Sequence, residues 1–453
     1  MASRMPLALG RDVVGLAPDE ETLATTLHQA GYATAAFSAA NPYISPRFGY
    51  DQGFEVFRDF LDFDAPSIAH PSVADPAEKG RLRAILNRWL RKSTHAVGLS
   101  HLYDELYFQY CARIAAPTVS SVDVLRKYSS ADIVVEAAQS WLESIGARPF
   151  FLWIHLMDPH HPYYPPAAAL RDLMGRDPSP AQVRYLNEFW NRADLAVARL
   201  QKHKESILEL YDAGIRWVDG QMARLVGYLQ RSGRWDDCVF SLTADHGEEF
   251  LEHGRRYHAA VSLTEEIARV PLLFRVPGLQ KFERQALCLG PQTARPSGAG
   301  MVFSHLHLAP TLLEILAVPP PRGFRGKSLW KRLQGEAQPN GRENDPVELA
   351  IAECVYGCMN PFNEQARLSP RLLCVRDARY KLVIRLEPGG VEEIYDIVSD
   401  PQEKSPLKGN ETAEIRRRFL RLAMEHVKRT SAAGPAAALL KILLRDLRVK
   451  LHA

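Results

Sequence analysis

Asp245 and His246 are the residues of this chain whose types and position best suit chemistry. They follow shortly after an apolar run at residues 238–242, and a polar loop with His253 and His258 comes next. The run predicts a buried strand, and open α/β sheets place their ligand groups at the carboxyl ends of such strands. A carboxylate beside one imidazole suits calcium, magnesium or manganese better than a metal held by thiolates. The pair is therefore predicted to form half of a divalent metal site.

The elements that must position this pair alternate along the chain between helical and extended patterns. Helix-like spacing covers residues 20–30, 131–142 and 211–229, and strand-like runs cover residues 32–37 and 150–156. Such alternation favours a mostly parallel central sheet flanked by helices. We therefore predict an α/β fold in which the strand before Asp245 belongs to that sheet.

Two departures from the alternation predict the domain organisation. Residues 61–118 are helical, basic and aromatic in character, which indicates an insertion or lid over the sheet. Residues 372–396 have the pattern of a short antiparallel meander, and terminal helices are predicted at 414–429 and 436–451. The chain is therefore divided into an α/β domain at residues 1–340 and a smaller C-terminal antiparallel α+β subdomain at residues 341–453.

Composition and charge argue against several classes of partner. The 453 residues carry a formal net charge of +3, too small to indicate nucleic acid. No apolar run approaches the roughly 20 residues needed to span a bilayer. The first residues lack the apolar stretch of a signal peptide, so the protein is predicted by default to be cytoplasmic unless its N-terminus is incomplete. The six cysteines form no CxxC pair, so neither a disulfide framework nor a zinc knuckle is indicated.

Four stretches, in this order along the chain, resemble the sulfatase family within the larger alkaline-phosphatase-like superfamily. They lie at residues 22–54, 149–163, 211–272 and 308–329, and include Asp158-Pro159-His160-His161-Pro162 and Asp245-His246-Gly247-Glu248. Any one stretch is a weak signal, whereas all four in order are a strong one. The resemblance implies an alkaline-phosphatase-like fold. It also implies a metal-dependent hydrolase of a small-molecule or carbohydrate sulfate ester.

The resemblance assigns roles to individual residues. Asp245 and His246 match one pair of ligands to a single divalent cation, with calcium expected and manganese or magnesium as alternatives. His160 matches a histidine on the substrate side, whereas the adjacent His161 is interpreted as a surface neighbour. His258 is the candidate for contacting the transferred group or protonating the leaving oxygen.

Two parts of the family pattern are altered or missing at the N-terminal side. In the family the nucleophile is a Cys or Ser in Cys/Ser-x-Pro-Ser-Arg, and the Cys form is oxidised to formylglycine. Aligning Ser3 and Arg4 with the end of that motif places the nucleophile, and any formylglycine, upstream of residue 1, which would leave the chain as given inactive. Arg4 then matches the arginine that supports the nucleophile. Ala39 replaces a family lysine, and nearby Asn41 is the candidate for a neutral donor to the substrate.

Three functions remain open on the sequence. The first is a metal-dependent sulfuric ester hydrolase read from an incomplete chain or from a misassigned start codon. The second is a phosphodiester, phosphonate or phosphoethanolamine hydrolase or transferase on the same scaffold, since a fold alone does not define a function. The third is a non-catalytic binding protein. A thermolysin-like zinc site is not indicated, because the sequence contains no His-Glu-x-x-His.

Overall fold

Strands from three regions of the chain build the central part of the molecule. The computed structural model describes residues 15–18, 20–61, 89–90, 93–94, 99–115, 118–175, 178–279, 302–334, 349–357, 369–387, 389–409, 412–429 and 435–452. Within them, β1 (Ala33–Ser38), β2 (Val56–Arg58) and β3 (Phe150–His155) form a parallel sheet in the order β2-β1-β3. Next along the chain come β4 (Phe240–Thr243), β5 (Glu249–Phe250), β6 (Arg256–Tyr257) and β7 (Leu272–Arg275). β4 pairs antiparallel with β7, and β5 and β6 form a short hairpin.

Helices separate these strands, as the alternating sequence pattern predicts. They are α1 (Leu23–Gln29), α2 (Ser100–Tyr110), α3 (Ala131–Ser144), α4 (Ala167–Met174), α5 (Pro180–Trp190), α6 (Val197–Leu200), α7 (Lys204–Arg231), α8 (Glu265–Ala268), α9 (His305–Ile315) and α10 (Trp330–Leu333). The helix predicted from residue 20 begins instead at Leu23, because Thr22 and Thr25 form a capping box there. The helix predicted at 211–229 is part of the longer α7.

The parallel sheet is covered by helices on both faces. On one face, Ala33, Ala35 and Phe37 of β1 pack in an apolar cluster with residues of α3 and α7. On the other face, Phe151 of β3 packs against a cluster formed by α1 and α9. The predicted α/β class is therefore confirmed. The strand before Asp245 differs from the expectation, because its described partner is the antiparallel β7.

The C-terminal part forms a second, antiparallel sheet. Its strands β8 (Ala350–Val355), β9 (Arg371–Arg376), β10 (Tyr380–Leu386) and β11 (Glu392–Asp396) lie in the order β11-β10-β9-β8. Helices α11 (Ala413–Lys428) and α12 (Pro435–His452) pack on it around Phe419 and Leu447. The predicted meander corresponds to β9–β11, whereas β8 was not predicted.

One buried ionic group joins this second sheet to α8. The side chain of Lys381 on β10 is fully buried, and its Nζ lies 3.1 Å from Glu265 Oε1 and 2.8 Å from Glu403 Oε1. The backbone N–H of Glu265 donates to Glu403 Oε2 at 2.6 Å. Because the charges are paired and hydrogen-bonded, their burial is tolerated, and they hold α8 in register with the sheet.

The predicted insertion at residues 61–118 falls partly outside the described residues. Its described helix α2 packs Phe108 against Tyr185 and Phe189 of α5. Glu105 of α2 also accepts a hydrogen bond from Arg192 at 2.6 Å. The boundary at residue 340 stays a prediction. Among the helices described, none combines the length and apolar character that crossing a bilayer requires.

Candidate functional site

Asp245 and His246 lie in the loop that begins where β4 ends. Asp245 Oδ1 accepts the backbone N–H of His246 at 3.0 Å, and its Oδ2 lies 3.7 Å from His246 Nε2. His246 Nδ1 is 2.9 Å from the carbonyl oxygen of Gly247. A carbonyl oxygen can only accept, so the proton is on Nδ1 and Nε2 carries a free lone pair. The carboxylate and this lone pair can bind one cation together.

The charge state of Asp245 suits a metal ligand. Burial raises the pKa of the Asp245 carboxyl. The nearby imidazole groups of His246 and His155 lower it by more, so the pKa lies below its usual range. The Asp245 side chain nevertheless remains open to solvent on one side, with a relative exposure of 63%. It is therefore an ionised ligand that a cation can reach.

His160 lies on the segment that follows β3, and both ends of that segment are anchored. Buried Asp158 pairs with Arg126 and accepts the backbone N–H of Ala131 at 3.3 Å. At the other end, the Asn187 side chain accepts from the backbone N–H of Tyr163 at 2.7 Å and donates to its carbonyl at 2.9 Å. These contacts hold the intervening histidine pair in one position.

His258 reaches the same region from the end of the β5–β6 hairpin. Its Nδ1 is 3.2 Å from Glu248 Oε1, and an ionised carboxylate can only accept. The contact orients the ring and leaves Nε2 free, in the manner of a histidine that binds a ligand or moves a proton. His253, by contrast, is paired with Glu266 at 3.1 Å, which is a structural contact.

Four imidazole rings meet at this end of the sheet. Ring centroids are 4.0 Å apart for His246 and His258, 5.1 Å for His160 and His258, and 6.5 Å for His160 and His246. His161 joins them, with centroid distances of 4.4 Å to His160 and 5.3 Å to His258. The interpretation of His161 as a surface neighbour was therefore wrong, because the segment after β3 turns both histidines inward.

Burial controls the protonation of His160 and His161. It lowers the pKa of His160, and it lowers the pKa of His161 to about 3, with further lowering by the neighbouring His160 and His258 rings. Both rings are therefore neutral near pH 7. Neutral imidazoles can serve as metal ligands or proton acceptors.

The resemblance assigns roles to two residues near the N-terminus, and the structure describes one of them. Asn41 is held in a turn, since its Oδ1 accepts the backbone N–H of Tyr43 at 2.9 Å. Its Nδ2 lies 3.3 Å from His155 Nε2, so it borders the histidine-lined region. Arg4 lies outside the described residues, and its role stays a prediction.

Two further histidines border Asp245 and were not predicted. His155 ends β3, and burial lowers its pKa while the Asp245 charge opposes that shift. His305 begins α9, and its Nε2 lies 3.2 Å from Thr243 Oγ1. The strand-end rule that selected Asp245 could have found His155, whereas no local signal marks His305.

Two groups of three side chains with metal-ligand character occur in the described part of the chain. One is His160, His161 and His258, and the other is His253, Glu266 and Glu403. Neither contains Asp245 or His246. That pair fits a hard divalent cation by donor type and spacing, but it supplies only part of a ligand set.

The comparison with protein families identifies the family of the chain. The model of the sulfatase family matches residues 2–318, which is most of the chain. The chain therefore belongs to the sulfatase family, as the four sequence stretches predict.

Individual relatives are distant. A multifunctional alkaline phosphatase superfamily protein from Trinickia caryophylli is 23% identical over 63% of this chain and 56% of its own length. An N-acetylglucosamine-6-O-sulfatase from Bacteroides thetaiotaomicron is 26% identical over 50% of this chain and 36% of its own length. The phosphonate monoester hydrolase of Agrobacterium radiobacter has a similar structure, with a TM-score of 0.54 and 19% identity over 92% of this chain and 82% of that one. The chain spans about half the length, or less, of the two curated relatives, and the structural likeness bears on the fold.

Proposed function

We propose that this protein is a divalent-metal-dependent sulfuric ester hydrolase that acts on a small-molecule or carbohydrate sulfate ester. One observation carries the proposal. The Asp245–His246 pair, with its free Nε2 and ionised carboxylate, lies beside the rings of His160 and His258 at a single edge of the fold. Membership of the sulfatase family supports the choice of substrate class.

Each of four described residues is assigned a role in the proposed reaction. Asp245 and His246 would hold the cation. Calcium is the expected ion, with manganese or magnesium as alternatives. When bound, the cation supplies positive charge to the nonbridging oxygens of the ester. His160 borders the place where those oxygens would lie. His258, oriented by Glu248, can give a proton to the leaving oxygen. A nucleophile is also required, and none of these four side chains is assigned that role.

Hydrolysis of chromogenic esters by the metal-supplemented protein tests the proposal. In a form of the protein that carries a nucleophile, we expect release of 4-nitrophenol from 4-nitrophenyl sulfate, dependent on calcium or manganese and abolished by chelation. His258→Phe should lower kcat by roughly 10²–10⁴-fold, the usual contribution of a positioned acid. The matched control is His203→Phe, since His203 also packs against an aromatic ring, that of Phe189, but lies on a different contact network. Equal rates in the two variants would refute the role of His258.

The second candidate is hydrolysis of a phosphonate or phosphodiester on the same scaffold. It is favoured by the likeness to a phosphonate monoester hydrolase and to a multifunctional superfamily member. Faster turnover of 4-nitrophenyl phenylphosphonate than of the sulfate ester would select it. Saturable binding of the sulfate ester without turnover of either compound would favour the non-catalytic alternative.

A further inference from the structure

The outer face of the C-terminal helix pair carries an excess of positive charge. Helices α11 and α12 contain nine lysine and arginine residues but only three acidic ones, whereas the whole chain has a formal net charge of +3. Both helices pack on the antiparallel sheet through one apolar cluster, which includes Phe419 of α11 and Leu447 of α12. The opposite faces of the two helices therefore point away from the sheet on the same side of the molecule.

Three cations of α12 form a stripe on this outer face. Lys441, Arg445 and Arg448 are exposed and follow one another at spacings of four and three residues. Residues at these spacings are neighbours on a helix surface, where like charges destabilise the helix. In the described part of the chain, none of the three lies within ion-pair distance of a carboxylate. The stripe is therefore a concentration of positive charge that these residues leave uncompensated.

Helix α11 extends this charged surface. Arg421 and Lys428 are exposed, and among the described residues neither is paired with a carboxylate. Arg416, by contrast, lies closer to the sheet and pairs with Glu392 of β11. Cations near the sheet are thus neutralised, whereas those on the outside are not. We call the outer surface the basic face, and it consists of Arg421, Lys428, Lys441, Arg445 and Arg448.

Apolar side chains border the basic face. Ile442 and Val449 of α12 have relative exposures of 48% and 61%, and their separation of two helical turns places them on the same flank. At the end of that helix, Lys450 Nζ donates to the carbonyl oxygen of Gly390 at 2.8 Å. Val391, the next residue of that turn, is 57% exposed. Positive charge and exposed aliphatic groups therefore occur together at this surface.

We propose that the basic face docks on the surface of an anionic lipid bilayer. The cations would lie against the negative headgroups, and Ile442 and Val449 would enter the apolar boundary beneath them. A soluble polyanion could compensate the charges but offers no apolar phase to these two side chains. A second copy of the chain, docked face to face, would bring like charges together. The combination of cations with aliphatic groups therefore favours the bilayer.

Co-sedimentation with lipid vesicles tests the proposal without any need for turnover. The full chain should bind vesicles of equimolar phosphatidylcholine and phosphatidylglycerol, and it should not bind vesicles of phosphatidylcholine alone. The triple variant Lys441→Gln, Arg445→Gln, Arg448→Gln should bind the anionic vesicles about a hundredfold more weakly, since each basic residue near such a surface raises the affinity roughly fivefold. Because this variant removes like-charge neighbours, it should be no less stable than the wild type.

The matched control removes the same charge from exposed cations of other elements. It is the triple variant Lys202→Gln, Arg231→Gln, Lys331→Gln. We expect it to keep the wild-type affinity for the anionic vesicles. Equal losses in the two triple variants would show that net charge alone drives the binding, and they would overturn the proposal.

The apolar border distinguishes a bilayer from a soluble polyanion. Ile442→Ser combined with Val449→Ser should weaken vesicle binding about tenfold or more, because the contribution of the buried aliphatic groups is lost. The same variant should leave any binding to heparin, a soluble sulfated polysaccharide, unchanged. Unchanged vesicle affinity in this variant, together with tighter binding of heparin than of vesicles, would assign the basic face to a soluble polyanion instead.

Absence of binding to the anionic vesicles would also overturn the proposal. If the α12 charge variant fails to fold by circular dichroism, Arg421→Gln combined with Lys428→Gln on α11 decides the outcome, with an expected loss of about 25-fold in vesicle affinity. Since the readout is lipid binding, its failure leaves the proposed hydrolase function standing, and the reverse also holds.

Discussion

Replacing Gly247 by alanine would test how closely the Asp245–His246 loop depends on its packing. Gly247 follows the pair directly, and its N–H donates to the carbonyl oxygen of Ile267 at 2.8 Å. A Cβ at this position would lie 2.0 Å from the backbone oxygen of Glu266. Ordinary contact begins at 3.4 Å, and the obstacle is backbone in α8, which cannot rotate away. The loop and the helix must therefore separate by more than 1 Å.

The expected loss of stability follows from the separation of this loop from α8. Overpacking of this kind costs about 1–3 kcal/mol. Stretching the hydrogen bond to Ile267 beyond bonding distance costs about 1 kcal/mol more. We therefore expect the free energy of unfolding to fall by about 2–4 kcal/mol. The carbonyl of Gly247 also moves, so His246 loses the contact that places its proton on Nδ1.

Denaturant unfolding and calorimetric titration with Mn²⁺ measure the two consequences separately. Ligand positions in metal sites tolerate only about 0.2 Å of error, so the Mn²⁺ affinity should fall at least tenfold, by about 1.4 kcal/mol. Gly220→Ala in α7 is the matched control, since a Cβ there meets open space. It should stabilise the protein by roughly 0.5–1 kcal/mol through helix propensity. Wild-type stability and Mn²⁺ affinity in Gly247→Ala would refute the reasoning, and lost stability with unchanged affinity would refute its metal part.

Three further predictions concern the scaffold. Lys381→Met leaves the buried Glu403 carboxylate without its cation and should cost about 3–5 kcal/mol in unfolding free energy, whereas Arg379→Met removes an exposed arginine and leaves Asp396 hydrogen-bonded to the backbone N–H groups of Val398 and Ser399, so it should cost less; equal costs would contradict this. Asn187→Leu leaves the N–H and C=O of Tyr163 unpaired, so denaturant unfolding should show a loss of about 1–3 kcal/mol per group. Burial raises the pKa of Cys374 to about 11, so a chromogenic disulfide reagent followed by peptide mass spectrometry should label it only after unfolding; rapid labelling in the native state would count against that burial.

Much of the architecture could be predicted from local patterns. Helical periodicity at 131–142 corresponds to α3, and the apolar runs at 32–37 and 150–156 correspond to β1 and β3. The helix prediction succeeds because a 3.6-residue period reflects burial along one face. The strand predictions succeed because a strand covered on both faces reads as a continuous apolar run. The antiparallel pairing of β4 with β7 was not predicted, since the apolar run at 238–242 carries no information about which strand lies beside it.

The sequence by itself determined the α/β class, the C-terminal meander and the family, and it singled out Asp245 and His246 at a strand end. Only the tertiary structure decided that His155 and His305 border Asp245, that His161 turns inward beside His160 and His258, and that Lys381 is buried between two carboxylates. The physical reason is the distance along the chain over which each kind of signal acts. Periodicity, caps and strand-end motifs act over a few residues, whereas these contacts join segments tens to hundreds of residues apart, and they exist only because helices and loops pack against one another in a single arrangement.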